Sequence, residues 1–505
     1  MTNRRAGVLC HITSLPSNFD YGDLGNNAYR FINFLSSTGF SVWQILPIGP
    51  THSGLCPYQS LSAHAGNPQL INLEWLCEKG WLSIDEFHEN HETTWAHRLR
   101  CIQRAYIRFK NNANNDETLK FNIFIKKHNY WLEIYALYMV LRKKFKDQPW
   151  TAWPKPYRDC NSSTLQTFSK INQSFINAIK FQQFVFFKQW AELKQYANDN
   201  GVLIIGDVPI FVAHDSAEVW ANRQFFALDN AGHPKFVAGV PQDYFSQTGQ
   251  RWGNPHYQWQ KLEKDDFSWW IDRIKTQHEL YDAIRIDHFR GLVKYWEIPA
   301  SATTAENGHW VAAPGRRLLQ SLTQKFPNLC LIAEDLGTIT PDVYELRDEF
   351  ALPGMNVLQF AFDGNNENPY LPKHHAKHSL VYTATHDNDT TIGWFESLSF
   401  ETQQYVRKCI NYKTEAMPWP MIYTALDSVA NLAMLPMQDV LNLGKNHRMN
   451  TPGTTEGNWQ WRFEWNQLDA HLATKFADLL EKYKRTNDIE NETYSCNQIM
   501  QPVSN

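Results

Sequence analysis

Arg285 and Asp287 stand two residues apart in "YDAIRIDHFRG" (281–291), where a short apolar, β-branched run ends in charge. Burying charge is costly unless it is paired or used. In a strand, residues i and i+2 share a face, so the guanidinium and the carboxylate point the same way. An arginine beside an aspartate favours the ionised acid, which suits a nucleophile. The plainer alternative is an ion pair that only fixes the strand. A second acid, Glu334, ends the apolar run "LCLIAED" (329–335). Low polarity there would raise a carboxyl pKa and keep the proton a general acid needs. Asp335 is its rival, because neighbouring strand residues face opposite sides. One ionised and one protonated carboxyl is the pairing of a retaining glycosidase.

Further acids and histidines follow the same pattern. Asp207 ends "GVLIIGD" (201–207), and His386 with Asp387 ends "SLVYTATHD" (379–387). His11, His288 and His386 near strand ends could join the acids around a divalent ion. No H-x-H or H-E-x-x-H spacing supports that. A set of acids at strand ends converges on one cleft only if the strands are parallel and close on one another.

The chain supplies such strands. Beside the three runs above stand "GVLCH" (7–11), "VWQILPI" (42–48), "DAIRID" (282–287), "NVLQFAF" (356–362) and "LAMLPMQD" (432–439). Helical patterns such as "NNAYRFINFLSSTG" (26–39) and "PGRRLLQSLTQKFP" (314–327) separate several of them. Alternating strands and helices imply parallel βαβ units, and eight such strands predict a (β/α)8 TIM barrel with its site at the strand C-terminal ends. A helical insertion is expected at about 70–195, with smaller insertions at about 208–280 and 288–328 around the barrel mouth. The catalytic unit then spans 1–485, and the polar stretch 486–505 reads as a disordered tail.

Composition narrows the partner. A formal charge of −4 over 505 residues gives no electrostatic reason to expect nucleic acid or an anionic membrane. A neutral ligand fits this balance. The 20 Trp, 21 Tyr and 30 Phe suit a large core, and some could offer flat faces to sugar rings. Eight cysteines without a C-x-x-C pair argue against a zinc ribbon or disulfide scaffold. No apolar run reaches the length of a membrane span, and the start lacks a secretory pattern. A reduced, cytoplasmic protein is expected, a monomer or weak homo-oligomer.

Long stretches of the chain also resemble the amylomaltases, 4-α-glucanotransferases related to the α-amylase barrel enzymes. The resemblance runs from "AGVLCHITSLPS" (6–17) to "RMNTPGTTEGNWQWR" (448–462). Between them lie "CPYQSLSAHAGNP" (56–68), "GDVPIFVAHDSAEVW" (206–220), "DYFSQTGQRWGNPHY" (243–257), "AIRIDHFRG" (283–291), "IAEDLG" (332–337) and "THDNDT" (385–390). It implies that Asp287 is the nucleophile, Glu334 the acid/base and Asp387 the transition-state stabiliser. Arg285 and His386 would flank the reacting sugar, while Tyr58, Asp207 and Trp252 would line the glucan path. Tyr244 and Phe245 would belong to a loop arching over the cleft. The implied substrates are maltooligosaccharides and α-1,4-glucans, with no metal or other cofactor. An α-1,4-glucan hydrolase or a non-catalytic glycogen- or starch-binding protein are the alternatives.

Overall fold

The computed structural model describes residues 4–17, 19, 21–89, 94–242, 246–410 and 414–486. Eight strands pair in parallel: β1 (Arg5–Leu9), β2 (Val42–Gln44), β3 (Leu203–Pro209), β6 (Ala283–Asp287), β9 (Leu331–Ala333), β10 (Gly354–Val357), β11 (Ser379–Tyr382) and β12 (Leu432–Pro436). Their order around the sheet is β10-β11-β12-β1-β2-β3-β6-β9, so each strand lies beside its sequence neighbour within this set. The two ends meet where the Ala333 N–H donates to the Pro353 carbonyl at 3.0 Å. The result is the expected α/β barrel, nearly closed. Five of the eight apolar runs contain one of its strands, and the other three overlap theirs.

Strand alternation separates two apolar surfaces. Val42, Leu203, Ile205, Ala283, Ile332, Val357, Leu380 and Met434 share one buried cluster, the filling of the barrel. Ile204, Val208, Ile284 and Ile286, one step out of phase, join the larger core beneath the surrounding helices. A Cβ on Gly206 would stand 2.1 Å from the Tyr281 ring, so only glycine lets β3 lie this close to the end of the helix before β6.

Between β2 and β3 the chain is helical. Asn114 and Glu117 cap each other's backbone at the start of the helix Asn115–Lys127, which carries acids in its first turn and lysines in its last. The 27-residue helix Gln173–Asp199 returns to β3 and buries Phe181, Phe184, Phe186 and Phe187. Among the described residues, no helix is long and apolar enough to cross a membrane.

The later segments hold strands that sequence periodicity did not suggest. β4 (Phe236–Val240) and β5 (Gln250–Pro255) come from 208–280, and β7 (Lys294–Pro299) and β8 (His309–Ala312) from 288–328. They form one antiparallel sheet in the order β5-β4-β7-β8. The hairpin halves β4 and β7 belong to different barrel connections, so their pairing is not local and leaves little sequence signature. Three expectations for strand ends also need correction. Asp207 lies within β3, "NVLQFAF" leaves the strand at Val357 for a 3-10 turn over Leu358–Phe360, and His386 and Asp387 lie in the loop after β11. Cys10, Cys56, Cys77, Cys101, Cys160 and Cys409 are free thiols. From residue 487 onward the polar tail lies outside the described residues, as do Tyr244 and Phe245.

Candidate active site

At the C-terminal ends of the barrel strands lies a cavity of about 1010 Å³. Asp287, Glu334 and Asp387 all line it, together with Arg285, His386, Tyr58 and Trp252. Trp252 comes from β5 and Trp310, also on the wall, from β8, so the antiparallel sheet forms one side.

Arg285 organises the floor. Asp207 and Arg285 are directly opposed on β3 and β6. The Nη1 of Arg285 donates to both Asp207 oxygens at 2.7 Å and to Asp287 Oδ1 at 2.9 Å. Burial opposes the guanidinium charge, but Asp207 and Asp287 outweigh it and raise its pKa well above the usual value. The expected Arg285–Asp287 pairing is present, and Asp207 adds the stronger half. The Asp207 side chain is 0% exposed and is not among the residues that line this cavity. It sits below, where it also accepts the Tyr58 hydroxyl at 2.8 Å. A carboxylate so placed holds an arginine and a tyrosine that do face the cavity.

Glu334 and Asp335 follow β9 directly and part to opposite sides. Asp335 turns away, to the Arg347 guanidinium at 2.6 Å and the Met355 N–H at 2.7 Å. Glu334 faces the cavity and accepts the N–H of His288 at 2.6 Å and of Leu336 at 2.9 Å. Burial, with help from the Asp287 charge, raises its carboxyl to about 8 despite Arg285 and the two N–H donors. His288 adopts a left-handed backbone (φ 55°), which turns its N–H toward Glu334 directly after Asp287. Its ring meets Trp252 edge-on at 4.9 Å.

The third acid is set from the other side of the barrel. Asn450 Nδ2 donates to Asp387 Oδ1 at 2.6 Å, and Arg448 Nη2 donates to the Asp387 carbonyl at 3.0 Å. His386 stacks on Tyr58 at 5.1 Å and 16°, with Trp459 beside both rings. Asn450 and Trp459 were not singled out as site residues by spacing, although "RMNTPGTTEGNWQWR" contains them. The three histidines considered as metal ligands do not assemble. Among the described residues, no group of three His, Cys, Asp or Glu could hold a metal ion. Burial lowers His11 and His288 each to about 3, with His386 adding to the first shift and Arg290 to the second.

Such a site, with one buried proton-bearing carboxyl beside an arginine-held aspartate, can perform acid/base and nucleophilic chemistry on a neutral ligand. A family model described as 4-alpha-glucanotransferase matches residues 10–468. The 4-alpha-glucanotransferase of Thermus thermophilus is 44% identical over 495 residues, covering 95% of this chain and 99% of that one. That of Synechocystis is 43% identical over 501 residues, 96% and 99% of the two chains. An amylomaltase from Streptococcus agalactiae, solved in complex with acarbose, is 35% identical with a TM-score of 0.91, covering 96% of this chain and 100% of that chain. Matched over nearly its whole length, the chain belongs to the 4-alpha-glucanotransferase family of enzymes.

Proposed function

We propose that this enzyme transfers segments of α-1,4-glucan from a donor to the 4-hydroxyl of an acceptor glucan or glucose, by a retaining double displacement. Asp287 attacks the anomeric carbon while Glu334 protonates the departing oxygen, leaving a covalent glycosyl–Asp287 ester. The acceptor hydroxyl then attacks the same carbon, Glu334 takes its proton, and the aspartate leaves. Two inversions restore the α configuration. Asp387 holds ring hydroxyls more tightly as the ring flattens, so its effect falls on the transition state.

The observation that carries this reading is the contrast between two carboxylates on one cavity. Glu334, raised to about 8 by burial, keeps its proton near neutrality, whereas Asp287 is tied to the Arg285 guanidinium at 2.9 Å. A carboxyl that keeps its proton can serve as the acid, and the aspartate held by arginine beside it is placed to attack. His386 and Tyr58, stacked together, and Trp252 offer ring surfaces on which sugars can lie. Tyr244 and Phe245 are assigned to glucan guidance on the sequence resemblance alone.

Incubation with maltotriose as sole substrate tests the proposal. Glucose together with maltopentaose and longer products marks transfer; glucose and maltose alone would mark hydrolysis and overturn it. Asp287→Asn should fold normally and form no covalent intermediate. Near-normal turnover in that variant removes Asp287 as nucleophile.

A further inference from the structure

Asp439 closes the run "LAMLPMQD", yet the reaction above makes no use of it. It is 0% exposed, and no ion pair involves it among the described residues. Its Oδ2 accepts the hydroxyls of Thr383 and Thr391, each at 2.6 Å, and its Oδ1 accepts the Thr391 N–H at 2.9 Å. An acid buried this deeply without a cation persists only if donors surround it. Here three donors do so, and they come from two places. Thr383 is the first residue after β11, and Thr391 is the first residue of the helix Thr391–Ser397. Both threonines are themselves fully buried.

The segment between these anchors, 384–390, carries His386 and Asp387 into the cavity. Its middle has ties of its own. Thr385 donates its N–H and its hydroxyl to Asn388 Oδ1, and Gln359 Nε2 donates to the Asp389 carbonyl at 2.9 Å. Arg448 holds the Asp387 carbonyl. None of these joins the start of the segment to its end. Asp439 does, from α-helical residues that follow the neighbouring strand β12. Thr383 and Thr391 both donate their hydroxyls to one oxygen of this side chain, so the two ends of the segment are held in one arrangement.

We propose that Asp439 is a positioning residue for Asp387, clamping the two ends of its loop so that the Asp387 carboxylate meets the reacting sugar in one place. The proposal rests on the reading of Asp387 as a transition-state stabiliser. A site whose supporting residues are loose loses rate before it loses binding, because misplacement by an ångström is felt mainly at the transition state.

The test uses the whole enzyme with maltotriose, measured well below the unfolding temperature of each variant. Asp439→Ala should lower kcat by about 10- to 100-fold while KM stays within about twofold. Hydrogen exchange of backbone amides in 384–390 should rise, with 283–290 unchanged. Asp439→Asn should keep most of the activity, since its amide oxygen can face the Thr391 N–H and the two hydroxyls can turn to accept. Unchanged exchange in 384–390, a loss confined to KM, or an even rise in exchange across the barrel would each overturn the clamp. Asp387→Asn, run alongside, separates the two readings. Full turnover there removes Asp387 from the reaction and the proposal with it. Collapse there with normal kcat in Asp439→Ala overturns only the positioning role.

Discussion

The backbone N–H of His288 donates to Glu334 Oε2 at 2.6 Å, so the residue directly after Asp287 is bonded to the other carboxyl of the proposed pair. The left-handed turn at His288 makes this possible, and Leu336 adds a second N–H at 2.9 Å. Both bonds favour the anion and oppose burial. Glu334 is thereby left near 8, within reach of both protonation states that its two steps need.

This placement fixes a pH dependence. The first step needs protonated Glu334, so kcat/KM should be insensitive to this group near pH 6 and fall as pH rises through about 8. Glu334→Gln should lower turnover by roughly 10²–10⁴-fold and abolish that basic limb. A donor with a good leaving group should restore part of its first step. Asp335→Asn, on the far side of the strand, should leave the limb where it was. A crippled Asp335→Asn beside a mild Glu334→Gln would reverse the assignment.

Asp207 is expected to matter through Arg285. Its removal leaves a guanidinium that is 5% exposed, with Asp287, itself 29% exposed, as its remaining carboxylate partner. Breaking a buried pair in this way costs about 3–5 kcal/mol. Asp207→Ala should therefore lower the denaturation midpoint as well as activity. Urea unfolding measures the first, and an unchanged midpoint would mean that the floor relaxes around Arg285.

Asn450→Ala removes the amide that holds Asp387 Oδ1 at 2.6 Å. Hydrogen bonds to charged groups contribute about 1.5–3 kcal/mol, and the lower end applies because the Asp387 side chain is 38% exposed. The expected result is a fall of about tenfold in kcat with little change in KM, read from initial rates on maltotriose. A change in KM alone would place Asn450 in ground-state binding.

Preference for a sugar over water requires that the intermediate be shielded and the acceptor be held. Tyr244→Ala with Phe245→Ala should lower transfer more than hydrolysis. The ratio of the two products from maltotriose or longer donors measures this, and an unchanged ratio with both rates intact would remove these side chains from the mechanism.

The strands and the Arg285–Asp287 pair were legible in the sequence because their signals are local. Apolar runs 42–48 and 282–287 each hold a barrel strand, and a period of two puts Arg285 and Asp287 on one side of β6. The same period left Glu334 and Asp335 unresolved, since it says that they differ but not which faces inward. The partners of Asp335, Arg347 and Met355, come from the following helix and strand, and only their packing settles the matter. Asp207 was legible as an acid near a strand end, but not as a buried anchor, because its partners Tyr58 and Arg285 lie 149 and 78 residues away.

Barrel closure decided what no spacing contains. It brought Asn450 to Asp387 across 63 residues and Asp439 to the two ends of one loop. It also let β4 and β7, from separate connections, pair into the sheet that walls the cavity. Periodicity reports which face a side chain takes along its own strand. Hydrogen bonds between distant segments depend on strand order and register, and these exist only once the parallel strands have closed.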